Sequence, residues 1–271
     1  MKKPAAILFL FIFINISCNS NRTNTANTIE LGDTIQTESG LKYYYVEQGN
    51  GRKIESGAKV STYLSLKIND SIVWTSDNDT DSLFTFIMNG TVLIKGFNEM
   101  SMRLRQGDEI VAIIPDSLGY GDEGSGDVVP PNATLIYDKF KVIQVDEPRS
   151  FLADTLFSTI KKQGTVKAIE RNKTISTSAD SINYHKGLQQ YYYTWEKLTN
   201  ESMHQEAADI AMYFSSSTKN RWMHSLMIQS LSNLGQTERA IDSLETMLKV
   251  TPDNVYLGNM LKELQEKLKA Q

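Results

Sequence analysis

A chain of 271 residues with 40% hydrophobic and 22% charged side chains has an ordinary globular composition, with apolar surface for one or two cores, and two domains are expected at this length. The formal charge of -4 leaves no basic footprint, so composition gives a nucleic-acid partner no support. A membrane contact would have to come from a local segment.

The first 18 residues supply one. Lys2 and Lys3 precede an apolar run over 5–14 that is too short to span a bilayer comfortably and reads as the core of a signal peptide. Asn15-Ile16-Ser17-Cys18 follows and is similar to a bacterial lipobox, with Ser17 before the cysteine and Asn15 where Leu is usual. That resemblance implies an exported chain, lipid-anchored to a bacterial membrane through Cys18. The other reading is an ordinary signal peptide cleaved nearby, with Cys18 incidental. Cys18 is the sole cysteine, so no disulfide is expected. Residues 19–38 are rich in Asn and Thr and poor in large apolar side chains; such a stretch does not offset its ordering entropy and is expected to be a solvated tether.

Over 39–146 the pattern is that of strands. Segments 41–46, 59–68, 84–88, 109–114 and 134–145 alternate or run apolar, and turn residues separate them at 49–52, 69–71, 78–82, 105–108 and 119–127. After Pro148, Gly and Pro become scarce and apolar residues recur at helical spacing to the end. A domain boundary is therefore expected near 147–150, with a second, helical domain over 151–271.

Through Ser39-Gly40-Leu41 at its start, Phe84-Thr85-Phe86, Gly96-Phe97, Leu118-Gly119-Tyr120-Gly121 and Val128-Val129-Pro130-Pro131, in that order, the β segment resembles the FKBP-type peptidyl-prolyl isomerases. Ser39-Gly40-Leu41-Lys42-Tyr43 opens it as many such domains begin. Phe84-Thr85-Phe86 and Val92-Leu93-Ile94-Lys95-Gly96-Phe97 resemble the family's strand and pocket-floor helix. The strongest run is Ile113-Ile114-Pro115-Asp116-Ser117-Leu118-Gly119-Tyr120-Gly121, then a Gly-rich loop, then Val128-Val129-Pro130-Pro131-Asn132-Ala133-Thr134-Leu135-Ile136-Tyr137-Asp138. The resemblance implies an α+β fold, an FKBP-like antiparallel sheet wrapped on a short helix and followed by an all-α, repeat-like domain. It also implies a cleft built by Tyr63, Trp74, Phe84, Leu93, Ile94, Phe97, Tyr120, Val128 and Tyr137. By the same analogy Phe97 lies under the proline, and the Ile94 N–H and Tyr120 hydroxyl meet substrate carbonyls. Any one of these apolar residues alone would read as core; their joint order carries the resemblance.

The chemistry asks for little more. Twisting a peptide bond costs ~18–20 kcal/mol of lost resonance, which makes Xaa-Pro isomerisation slow enough to limit folding. A dry aromatic cleft that desolvates the amide and favours the twisted form needs neither nucleophile nor metal, and no cofactor is expected. His185, His204 and His224 lie far apart without companion ligands at metal spacing, and Tyr191-Tyr192-Tyr193 has no interleaved basic residues.

Two departures from the family pattern bear on activity. Phe97 stands where Trp is common. Around Trp74 the family carries an aromatic residue followed by Asp, whereas this chain reads Ile72-Val73-Trp74-Thr75-Ser76. Either Trp74 replaces the aromatic and Thr75 the Asp, or Trp74 occupies the acidic position; in both registers the carboxylate is missing. Asp77, Asp79 and Asp81 read as a solvated loop rather than a substitute.

Residues 221–254 are similar to a tetratricopeptide repeat. Trp222, Met223, Leu226, Met227 and Leu231 form one stripe, and Ala240, Ile241, Leu244, Met247, Leu248 and Val250 a second, with Gly235 between and Pro252 after. Residues 191–214 read as a degenerate earlier copy and 256–268 as a polar-faced capping helix. A groove for a protein partner over 188–271, or a bundle packed only on itself, are both open. The expected function is isomerisation of Xaa-Pro bonds in exported, proline-containing polypeptides, the alternative being a proline-peptide-binding chaperone or assembly subunit with weak or no turnover.

Overall fold

The computed structural model describes residues 31–76, 83–218 and 220–270. Cys18 and the leader lie outside the described residues, as do Asp77, Asp79 and Asp81. Among the described residues no helix is long and apolar enough to cross a membrane.

Strands β1 (Ile35–Gln36), β2 (Lys42–Glu47), β3 (Lys59–Ile68), β4 (Ser71–Thr75), β5 (Phe84–Ile87), β6 (Glu109–Ile114) and β7 (Leu135–Val145) form one sheet in the order β1-β2-β6-β7-β3-β4, with β5 also on β3. All of these pairings are antiparallel. Strand β3 is the hinge of the arrangement: it lies along β7 on one side, and on the other its first half takes β5 and its second half β4. The sheet curls round helix α1 (Lys95–Ser101), whose Phe97 and Met100 face a core containing Leu41, Ile54, Phe86, Leu104, Ile110, Ile114, Leu135 and Phe140. This is the expected α+β arrangement of antiparallel sheet on short helix.

Two elements depart from the sequence reading. Strand β4 occupies a stretch in which no strand was expected, because its exposed Ile72 and Trp74 give no buried alternation. The two-residue turn explains it: Ile68 pairs with Ser71, and Asn69 and Asp70 both take positive φ, 48° and 65°, as a tight hairpin with native twist requires. At the other end, Ile35 and Gln36, within the stretch read as a tether, pair with Tyr43 and Lys42.

The chain crosses into the helical region at β8 (Ser150–Phe151), which pairs in parallel with β9 (Tyr184–His185). Among the described residues seven α-helices follow: α2 (Leu152–Gln163), α3 (Thr165–Thr177), α4 (Leu188–Asn200), α5 (His204–Thr218), α6 (Arg221–Asn233), α7 (Thr237–Val250) and α8 (Val255–Lys269). Asn220 caps α6 by accepting from the Trp222 N–H, Asn254 caps α8 by accepting from the Leu257 N–H, and Gly235 takes φ 73° just past α6. Successive helices from α4 onward pack on one another, α2 packs on α3 and α4, α4 on α6, and α3 on α5. The apolar faces form two cores, one from Leu152 to Leu226 centred on Phe214, the other Ile228, Leu231, Ala240, Leu244, Leu257 and Leu264, with Met227 against both.

Candidate functional site

An open cleft of about 390 Å³ lies over the N-terminus of α1, lined by Leu64, Leu66, Trp74, Phe84, Val92, Leu93, Ile94, Phe97, Tyr120 and Tyr137. Its floor is fixed by the close approach of α1 to the sheet. A Cβ on Gly96 would come within 2.4 Å of Ile114 Cγ2, so only glycine lets the helix sit this deep. Phe97, next in sequence, is 3% exposed and meets four rings edge-on: Phe86 at 5.1 Å, Phe140 at 5.3 Å, Tyr137 at 5.7 Å and Phe84 at 5.9 Å. Such edge-to-face pairs add ~0.5–1.5 kcal/mol each beyond area burial, and here they lock the floor ring in one orientation.

Strand β4 and the segment before α1 supply walls. Trp74 lies edge-on to Phe84 at 5.7 Å and is 43% exposed, presenting one face to solvent at the cleft mouth. Ser76 ties this wall to β3: its N–H donates to the Leu64 carbonyl at 2.9 Å, and its Oγ accepts from the Leu64 N–H at 2.9 Å. Trp74 pairs opposite Leu66 on β3 and lines the cleft wall, and Thr75 follows it opposite Ser65. Ile94 is the N-cap of α1 with extended backbone, and Asn98 Nδ2 donates to the Leu93 carbonyl at 3.4 Å, holding the entry to the helix.

The long loop between β6 and β7 closes the cleft from above. It starts with a short 3-10 turn at Asp116–Leu118, and Gly121, at φ 62°, donates to the Asp116 carbonyl at 2.9 Å while its own carbonyl accepts from the Asn132 N–H at 2.8 Å. These bonds pin both ends of the loop around Tyr120, whose ring lines the cleft at 41% exposure. Opposite it, burial and then the neighbouring Tyr120 hydroxyl push the Tyr137 phenol well above the ordinary tyrosine range. Tyr137 therefore stays a neutral hydroxyl at any physiological pH. Among the described residues no charged side chain lines the cleft.

Seven of the nine residues expected in the cleft are there: Trp74, Phe84, Leu93, Ile94, Phe97, Tyr120 and Tyr137. Tyr63 and Val128 are not. Side chains alternate across a strand, and β3 turns Leu64 and Leu66 toward the cleft; Tyr63 stands on the other face, its ring 5.6 Å from Lys139 Nζ. In the loop, the Ser125–Val129 bridge sends Val129 into the core at 6% exposure and leaves Val128 58% exposed. Leu64, Leu66 and Val92 were missed; the parity of Thr62, Leu64 and Leu66 on β3 was the signal that could have found the first two. His185, His204 and His224 lie on β9, α5 and α6, and the described residues hold no cluster of potential metal ligands.

Residues 50–139 match the family model of the FKBP-type peptidyl-prolyl cis-trans isomerases. The chain is 31% identical over 114 residues to a probable FKBP-type peptidyl-prolyl cis-trans isomerase FkpA of Neisseria meningitidis serogroup B, covering 42% of this chain and 41% of that protein. It is 33% identical over 106 residues to a probable FKBP-type isomerase of Haemophilus influenzae, covering 39% of this chain and 43% of that one. The chain thus spans less than half the length of these two relatives. Among solved structures, FkpA of Escherichia coli aligns with a TM-score of 0.40 at 24% identity, over 44% of this chain and 54% of that one. The part of the chain that builds the aromatic cleft lies within residues 50–139, the stretch that is similar to the FKBP-type peptidyl-prolyl cis-trans isomerases.

Proposed function

We propose that this protein is a peptidyl-prolyl cis-trans isomerase acting on Xaa-Pro bonds of proline-containing polypeptides. One observation carries the reading: a cleft with room for a prolyl ring and its neighbours, whose described lining is wholly apolar and aromatic, floored by Phe97 and bordered by the hydroxyl of Tyr120 and the neutral hydroxyl of Tyr137. A prolyl ring seated on Phe97 brings its imide into a site with little water, where the planar, resonance-stabilised amide loses hydration and the twisted form, with charge localised on nitrogen and a more ketone-like carbonyl, is less disfavoured. The Tyr120 hydroxyl takes no hydrogen bond from the described residues and is free to donate to a substrate carbonyl. Catalysis follows if that contact strengthens as the amide twists.

A second reading, a proline-peptide-binding chaperone with weak turnover, is favoured by a specific feature: the described cleft holds no carboxylate near Trp74, a neighbourhood in which the family carries Asp. Catalysed exchange of a proline-containing peptide by the full chain separates the two. Acceleration that vanishes in Phe97→Ala supports the enzyme; peptide-dependent change in Trp emission without acceleration supports the binder; neither result sinks both.

The helical region fits a role in capture. Helices α2, α4, α6 and α8 begin at Leu152, Leu188, Arg221 and Val255, a spacing of about 34 residues, the period of tetratricopeptide repeats. Three helix pairs and a final helix make a repeat array with α8 as its cap, able to hold a protein partner over 188–271. Export and a lipid anchor at Cys18 complete the proposal on sequence grounds: Cys18→Ser is expected to release the protein from membranes, and unchanged membrane fractionation would refute the anchor.

A further inference from the structure

We propose that Phe151 and His185, which belong to the helical region, are positioning residues for the cleft, a role that rests on the isomerase reading of that site. Cleft residues Val92, Leu93 and Ile94 follow directly on a tight turn at the end of β5. Within the turn, the Gly90 and Thr91 N–H groups both donate to the Ile87 carbonyl at 2.9 Å, and the Ile87 N–H donates to Thr91 Oγ1 at 2.9 Å. Asn89 takes φ 60°. The turn is thus a rigid unit, and its placement sets where Leu93 and Ile94 enter the cleft.

The helical region grips this unit from behind. A Cβ on Gly90 would lie 2.7 Å from Phe151 Cε1, so the Phe151 ring occupies the space that any other residue at 90 would fill. Phe151 is itself stacked on His185, 5.2 Å between ring centroids at 30°, and the two are registered by the β8–β9 pairing. His185 in turn reaches Gly57, whose carbonyl accepts from His185 Nε2–H at 2.7 Å and from the Arg149 N–H at 3.0 Å. Gly57 closes the circuit, because its N–H donates to the Met88 carbonyl of the same turn at 2.9 Å. A Cβ on Gly57 would meet the Arg149 carbonyl oxygen at 2.1 Å, so this contact too is built on an absent side chain. Val92 is 84% exposed, while Leu93 and Ile94 pack part-buried against the β-region core. Asn98 and the core hold the far end of the wall from 92 to 94, and the stacked pair holds its near end through the turn, although neither ring lines the cleft.

The test uses the full chain and two readouts. Phe151→Ala is expected to raise KM for a proline peptide about tenfold with a smaller change in kcat, since an ångström of misplacement costs up to ~10²-fold in efficiency. Amide exchange at Gly57, Ile87 and Thr91, the bonded N–H groups of this turn, is expected to quicken in that variant, while exchange at 110–114 on β6 stays as in wild type. Gly90→Ala pushes a methyl group into the same ring from the other side and is expected to act alike; combined with Phe151→Leu, which makes room, it recovers part of the loss, a non-additivity that only contacting residues show. If Phe151→Ala does not fold, the Gly90→Ala and Phe151→Leu pair carries the test. Unchanged exchange at Gly57, Ile87 and Thr91 in every variant overturns the proposal, as does additivity of the pair. A wild type that neither binds nor turns over proline peptides overturns the isomerase reading instead, and the exchange pattern then still reports whether the pair holds the wall.

Discussion

The two regions of this chain solve the same burial problem in opposite ways. The β region brings distant segments together: β3 is paired to β7 some 75 residues away, and the rings around Phe97 of α1 come from β5 and β7. The helical region packs each element mostly on the next one or two along the chain, and it has two modest cores rather than one. A closed, non-local core shares every perturbation, whereas a repeat array approximates a sum of local units and neighbour interfaces. The site that needs sub-ångström placement sits in the first kind of architecture, which is where a rigid floor can be made.

That contrast is sharpest at Phe97. Phe97→Ala removes a ring held by four others, and is expected to cost ~3–5 kcal/mol, as for other buried aromatic truncations, together with peptide binding. Denaturant unfolding followed by β-region signals measures it; loss confined to binding, with stability intact, would show that the floor is not shared with the core.

The β region also holds an alkaline weak point. Burial, and then the nearby Asp108 carboxylate, push the Tyr45 hydroxyl up to about 12. Its pKa is raised in the folded state, so the contribution is complete below pH 10 and is lost as pH climbs from 10 through about 12. By linkage this amounts to roughly 2–3 kcal/mol. Comparing unfolding of wild type and Tyr45→Phe across that window isolates it: the mutant is expected to fall less steeply, and parallel curves would contradict the assignment.

In the helical region the effects are expected to stay local. Ala240 is fully buried between α6, α7 and α8, and Ala240→Leu is expected to cost ~1–3 kcal/mol by overpacking. Hydrogen exchange should quicken on α6 to α8 and remain unchanged on β6 and β7. If the β strands loosen equally, the two regions unfold as one and the comparison fails.

The smallest effect belongs to Tyr120→Phe. The hydroxyl is bonded to no described residue and the ring is 41% exposed, so stability is expected to be unaltered. Peptide binding or turnover should weaken by ~0.5–1.5 kcal/mol, the net worth of one neutral hydrogen bond. An unchanged isotherm and rate would remove Tyr120 from substrate contact.

Much of this organisation was legible in the sequence. The strands β2, β3, β5, β6 and β7 announce themselves because one buried face imposes alternation, and Gly235, at positive φ, marks the end of α6 locally. The floor and rim residues Phe97, Tyr120 and Tyr137 were legible through motif order. What sequence did not decide was anything that depends on which face or which partner a segment finds. Strand β4, with its exposed Ile72 and Trp74, has no burial pattern of its own and exists through its pairing with β3. Leu64 rather than Tyr63 enters the cleft because a shift of one residue along a strand reverses every side chain, and only the register against β7 sets that parity. Phe151 and His185 are 34 positions apart and unremarkable as text; the parallel pairing of β8 with β9 stacks them against Gly90 and Gly57, and contact across that distance is a property of the folded chain alone.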